Sequence, residues 1–151
     1  MLKTVLIVDD DPKMREMLTQ ILENAGYIVE SAKNGKEAIK ACKKYPIDIG
    51  LIDIELPDTK GTKLLSVLKK ITPKMVKIII TGYPSIENAV TAVNEKADAY
   101  VLKPFNPADL LETIKKTFAD KKDTYVSMLQ ELEQAKQNTP KVKYKDADRR
   151  I

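Results

Sequence analysis

Val5-Leu6-Ile7-Val8-Asp9-Asp10-Asp11 sets four apolar residues against three consecutive carboxylates, and Pro12 follows at once. Three later apolar runs also end on one polar residue: 49–52 on Asp53, 78–80 on Thr81 and 100–102 on Lys103. Short apolar runs without alternation read as strands buried on both faces, and such strands usually lie parallel. In an open parallel α/β sheet the ligand crevice lies beyond the carboxyl ends of the strands, where side chains remote in sequence converge. Asp9, Asp10, Asp53, Thr81 and Lys103 are therefore expected around one crevice.

The segments between these runs carry helical spacing, giving a fivefold βα series. After β1 (5–8), helix α1 is expected between Pro12 and Gly26, with Met14, Met17, Leu18, Ile21 and Leu22 on one stripe. Strand β2 (27–31) leads to α2, which Asn34 caps with Glu37 reaching back and which Pro46 stops. Ala38, Ala41, Cys42 and Tyr45 are its expected inward residues. Strand β3 (47–53) is followed by the turn cluster Pro57-Asp58-Thr59-Lys60-Gly61 and by α3, carrying Leu64, Leu65, Leu68 and Ile71 up to Pro73. Beyond β4 (76–81), α4 starts near Pro84 with Ile86, Ala89, Val90 and Val93, and after β5 (99–102) Asn106-Pro107 opens α5. Right-handed crossovers fold such a series into one doubly wound parallel sheet with helices on both faces, an α/β fold.

A chain of 151 residues fits one core plus an appendage. The expected division is a domain at 1–119 and a helical, basic C-terminal extension or linker at 120–151. Leu111, Ile114, Phe118, Tyr125, Met128, Leu132 and Ala135 keep a three-four heptad spacing through α5 into that extension, broken by Lys121. A coiled-coil pairing of residues 122–137 is one reading of it. Beyond Gln137 a frayed polar end is expected, with Lys141, Lys143, Lys145, Arg149 and Arg150 against two aspartates.

The formal charge of +4 is too mild to suggest nucleic acid, and none is expected to bind through this chain alone. Cys42 is the only cysteine, so an internal disulfide and a cysteine zinc cluster are excluded, and it reads as a small buried helix residue. With no signal-peptide pattern and no apolar stretch of membrane-spanning length, a soluble cytoplasmic protein without membrane insertion is expected. Histidine is absent, which excludes serine-histidine triads, histidine metal sites and a phosphohistidine relay within this chain. A phosphoryl donor must come from outside.

The strand-end residues suit magnesium-assisted phosphoryl chemistry. Mg²⁺ prefers an octahedron of oxygens, usually one or two carboxylates with phosphate oxygens and waters, and Asp9, Asp10 and Asp53 can supply such oxygens. Without a cation the clustered carboxylates would repel one another, so a lysine or a metal ion must offset them. Lys103 is placed to neutralise a phosphoryl oxygen or the Asp53 carboxylate, and the Thr81 hydroxyl to bond a second phosphoryl oxygen. Asp11 beside Pro12 is better used as a helix cap.

Val8-Asp9-Asp10, Leu51-Ile52-Asp53 with Leu56-Pro57 and Gly61 downstream, Thr81-Gly82-Tyr83, and Ala97-Asp98-Ala99-Tyr100 leading to Lys103-Pro104-Phe105 form an ordered set. From residue 3 to about 119 the chain resembles the receiver domain of two-component response regulators. The resemblance implies a flavodoxin-like strand order, 2-1-3-4-5. It implies that Asp53 accepts a phosphoryl group from a partner sensor histidine kinase or phosphotransfer protein, as a carboxylate nucleophile. Asp9 and Asp10 would hold Mg²⁺, joined by Asp53 and the backbone carbonyl of Glu55. Thr81 and Tyr100 match the family's switch pair, Lys103 its phosphate-contacting lysine, and the Lys103-Pro104 bond would be cis. Such a domain is a signalling phosphoacceptor rather than an enzyme, and phosphorylation would remodel its α4-β5-α5 face. That face or the C-terminal helix would mediate homodimerisation. Glu55 and Tyr83 would stand at the mouth of the site, where Tyr83 obstructs an attacking water.

Three other readings fit less well. A magnesium-dependent phosphatase with an aspartyl nucleophile would carry a second aspartate two residues on, where Glu55 stands, and would need a cap. A flavodoxin-like electron carrier would want a hydroxyl- and glycine-rich loop in place of Asp9-Asp10-Asp11. An adaptor of the same fold, never phosphorylated, would have no use for a complete acidic site.

Overall fold

The computed structural model describes residues 2–82, 91, 92, 94 and 97–138. Strands β1 (Thr4–Val8), β2 (Ile28–Ala32), β3 (Ile49–Asp53), β4 (Val76–Thr81) and β5 (Ala99–Leu102) form one sheet in the order β2-β1-β3-β4-β5. All its pairings are parallel. Helices α1 (Pro12–Asn24), α2 (Gly35–Lys44), α3 (Gly61–Ile71) and α5 (Pro107–Asn138) alternate with the strands. Of the expected α4, residues 91, 92 and 94 are described and helical, with Ala92 buried. Tyr83, Ile86, Ala89, Val90 and Val93 lie outside the described residues, as does the basic stretch from residue 139.

Strand periodicity sorts the core into two layers, because successive side chains point to opposite faces. Leu6, Val8, Ile52 and Ile79 pack with Ala38 and Cys42 of α2 and with Leu64, Leu65 and Leu68 of α3. Val5, Ile7, Leu51, Ile78 and Ile80 pack with Leu18 and Leu22 of α1 and with Leu110 and Ile114 of α5. Strands β1, β3 and β4 are thus covered on both sides, as their unbroken apolar runs require. β5 departs from that reading. It lies at the sheet edge, and Leu102 is 49% exposed.

Capping follows sequence chemistry closely. Asp11 accepts a hydrogen bond from Lys13 N at the start of α1, as expected of an aspartate before Pro12. Gly26 takes the positive φ of 93° that lets the chain leave α1 for β2. Asn34 accepts from Glu37 N, and the Glu37 carboxylate reaches back to Lys33 N.

Two expected core residues are outside it. Met17 flanks the α1 stripe and is 42% exposed, and Tyr45 turns out in extended backbone after α2, where Lys44 Nζ lies 5.3 Å from its ring centroid. One charged residue is unexpectedly inside. Lys77 of β4 is buried, its Nζ donating to Met75 O at 3.1 Å and its amide to Asp98 Oδ2 at 2.8 Å. The bond to Met75 O offsets part of the cost of burying the ammonium, and the bond to Asp98 satisfies the backbone amide.

The chain divides into two compact units, Met1–Phe118 and Ala119–Ile151. Sheet and core belong to the first, and the second is helical through Asn138. No helix among the described residues is long and apolar enough to cross a membrane.

Candidate functional site

The parallel register places the carboxyl ends of β1, β3, β4 and β5 side by side. Val8 pairs with Ile52, Asp53 with Ile80 and Thr81 with Leu102, so the next residues of these strands meet at one edge of the sheet. Carboxylate oxygens of Asp9, Asp10 and Asp53 lie within 4.8 Å of one another. Asp9 and Asp53 are buried, Thr81 is fully buried, and Asp10 is exposed.

Lys103 closes the cluster. Its Nζ is 2.7 Å from Asp9 Oδ2 and 3.4 Å from Asp53 Oδ2, and its amide donates to Thr81 O at 2.8 Å. The shorter ion pair goes to Asp9, which the sequence did not single out beside a phosphoryl oxygen or the Asp53 carboxylate as partner of Lys103. The Lys103-Pro104 peptide is cis. Burial is the largest influence on Asp53 and raises its pKa, the Asp9 charge adds to that, and Lys103 opposes it. For Lys103, burial favours the neutral amine, but Asp9 and Asp53 outweigh it and the net pKa is raised.

Backbone groups hold the acids in place. Asp9 Oδ1 accepts from Asp11 N at 2.9 Å and Asp53 Oδ1 from Glu55 N at 3.3 Å. Arg15, one turn into α1, donates from Nη1 to the Asp9 carbonyl at 2.8 Å. Sequence reading passed over it, although a cation just after an acidic run was a usable signal. Gly61 is needed for a different reason. A Cβ there would overlap the carbonyl oxygen of Asp53, so only glycine lets α3 start so close to β3.

The loop from Asp53 to α3 is pinned at two points. Glu55 Oε1 pairs with Lys60 Nζ at 2.6 Å, which draws that carboxylate to the loop itself. Asp58 accepts from Gly35 N at 2.9 Å and Lys36 N at 3.0 Å at the start of α2. Gly35 permits this approach, since a Cβ would stand 2.6 Å from Thr59 Cγ2.

Tyr100, on β5 opposite Ile79, packs against the α2/α3 side of the core. Its hydroxyl is buried and has no hydrogen-bond partner among the described residues.

Asp9 and Asp53 share the Lys103 ammonium, and Asp10 adds a third carboxylate beside them, so acidic oxygens outnumber the cation that pairs with them. A divalent cation with oxygen preference fits that donor set, and Asp9, Asp10 and Asp53 are the residues that would hold it.

Comparisons with known proteins agree with this arrangement. The family model described as the response regulator receiver domain matches residues 5–115. Chemotaxis protein CheY of Halobacterium salinarum is 35% identical over 114 residues, covering 76% of this chain and 95% of its own. A CheY-like response regulator receiver domain protein from Methanospirillum hungatei JF-1 superposes with a TM-score of 0.79 at 44% identity, covering 82% of this chain and 99% of that one. The beryllofluoride-activated NtrC4 receiver domain dimer gives a TM-score of 0.75 at 35% identity, over 80% and 99% of the two chains. Several curated relatives are much longer, and the chain spans less than half of their length. The matched segment contains the strand-end acids, the threonine and the lysine, and the chain belongs to the response regulator receiver domain family.

Proposed function

We propose that Asp53 is the phosphoacceptor of this receiver domain and that the donor is a phosphohistidine on a sensor histidine kinase or phosphotransfer protein. The observation that carries the reading is the convergence of three carboxylates, with Asp53 among them and with Lys103 paired to Asp9 and Asp53. An Asp53 carboxylate oxygen forms the new bond to phosphorus as the bond to the histidine nitrogen breaks, and the imidazole leaves neutral after taking a proton from solvent. Asp9, Asp10, Asp53 and the Glu55 carbonyl are the proposed Mg²⁺ ligands. Bound there, Mg²⁺ supplies positive charge against the phosphoryl oxygens.

Lys103 exchanges part of its pairing with Asp9 for a phosphoryl oxygen, and the Thr81 hydroxyl donates to another. Movement of Thr81 would alter the packing of Tyr100, whose buried hydroxyl has no partner among the described residues to hold it in place. The α4-β5-α5 face would then report the phosphorylated state. In this reading residues 1–119 are the signalling unit and 120–151 an extension, and the domain transmits a state rather than turning over a substrate.

Intact mass spectrometry with Mg²⁺ and acetyl phosphate tests the assignment. One added phosphoryl group is expected, absent in Asp53→Asn and lost in Asp10→Ala through the metal. Labelling that persists in Asp53→Asn overturns it, and steady release of phosphate from a small aryl phosphate would favour a phosphatase.

A further inference from the structure

Helix α5 carries an apolar heptad stripe interrupted at Lys121, and among its described side chains those of the first turns are covered while those of residues 126–137 are exposed. Leu110 and Ile114 are buried in the core, with Leu111 and Phe118 packed against it. From residue 119 the stripe continues on the same helix, and there Met128 is 55%, Leu129 50% and Leu132 63% exposed. With Leu111 and Phe118 at a, the positions Tyr125 and Leu132 are a, Met128 and Ala135 are d, and Leu129 widens the seam at e. Residues 139–151 hold seven charged side chains and no apolar heptad that would cover it.

We propose that the seam of residues 122–138 pairs with the same seam of a second copy of this chain, as a parallel two-stranded coiled coil. Flanking charges choose both the occupant and the direction. In a parallel pair, Glu131 at g faces Lys136 at e of the partner copy, twice by symmetry. In the antiparallel pair of the same layers, Glu131 meets Glu131 and Lys122 meets Lys136, so every charged contact is repulsive. Glu131, Lys122 and Lys136 are all exposed and flank the seam. A self-complementary pattern of this kind suits an identical chain.

Two heptads would be too short to form alone, because helix nucleation is costly. Here the helix is already nucleated by its buried first turns, which removes most of that cost. Lys121 at d interrupts the seam at its start and limits its length, so association is expected to be weak and concentration-dependent. Its consequence is local. Once the helices pair, two receiver units meet at a raised effective concentration, and any weaker contact between them becomes intramolecular.

This inference does not depend on the phosphoacceptor reading, and sedimentation equilibrium of the full, unphosphorylated chain over a concentration series tests it. A monomer–dimer equilibrium is expected, abolished by Leu132→Glu, which puts a charge in the seam without touching the receiver core. Lys136→Glu should weaken the dimer about tenfold by turning two attractions into repulsions, and Glu131→Lys with Lys136→Glu should restore it. Monomer at every concentration overturns the proposal, as does a dimer that survives Leu132→Glu. A dimer that tightens in Lys136→Glu also overturns it, because only the antiparallel pairing gains from that change.

Discussion

The ammonium of Lys103 lies 2.7 Å from Asp9 Oδ2 and 3.4 Å from Asp53 Oδ2, so one cation is shared by two buried carboxylates. Lys103 and Asp9 are well shielded, with side chains 18% and 4% exposed. Lys103→Ala in metal-free buffer is expected to cost about 3 kcal/mol, because it leaves buried carboxylates without a cation. Asp53→Asn should do the opposite and stabilise the metal-free fold by about 1 kcal/mol, since burial and the Asp9 charge both disfavour an ionised Asp53. Urea unfolding with and without Mg²⁺ measures both. Stability of the native chain should rise with Mg²⁺ and that of Asp53→Asn much less, whereas a destabilised metal-free Asp53→Asn would contradict the charge argument.

Tyr100 offers a test of a single atom. Its hydroxyl is buried without a hydrogen-bond partner among the described residues, while its ring packs in the core. Removing an unsatisfied polar atom and keeping the ring should help the fold, so Tyr100→Phe is expected to gain about 1 kcal/mol in chemical denaturation. A loss of stability would mean that the hydroxyl is satisfied in solution.

Much of this site was legible because a buried strand leaves few choices. A buried apolar run such as Val5 to Val8 gives way to a polar side chain where its cover ends, so Asp9, Asp53, Thr81 and Lys103 marked four strand ends and parallel pairing brought them together. Residues at the margins were less legible. Met17 and Tyr45 satisfy helical spacing, yet they fall on the rims of their stripes, and only the neighbouring layer decides whether a rim is covered. Lys77 contradicts its own polarity because the bond from its Nζ to Met75 O forms only after β4 is in place. The link from Asp58 to the first residue of α2 spans 23 positions, and no local pattern announces it.

Gly61 makes the geometry of the acceptor strand sensitive to one methyl group. A Cβ at this position would overlap the Asp53 carbonyl, and the obstructing atoms are backbone rather than a yielding side chain. Gly61→Ala should therefore lose about 3 kcal/mol or force the loop after Asp53 to shift. Thermal unfolding and acetyl phosphate labelling read the two consequences, and an alanine variant equal to the native chain in both would remove Gly61 from the account.

Asp58 ties the loop after Asp53 to the start of α2 by accepting from both Gly35 N and Lys36 N, while Asn34 serves Glu37 N. Together with the bond from Ala38 N to Asn34 O, the four amides that begin this helix are all satisfied. The bonds from Gly35 and then Lys36 hold the Asp58 carboxyl below the ordinary aspartate range. A carboxyl with a lowered pKa in the folded state contributes stability above its unfolded value, about 3.9, and loses it as pH falls through the folded value. Asp58→Asn should therefore be less stable than the native chain at neutral pH, with a gap that narrows as the solution is acidified below the unfolded value. Hydrogen exchange at residues 55–60 should quicken in the same variant, because the loop loses its outer anchor. A stability gap that stays constant from neutral to acid pH would assign the loss to packing rather than to these charged bonds, and no gap at all would leave the loop held by Glu55 and Lys60 alone.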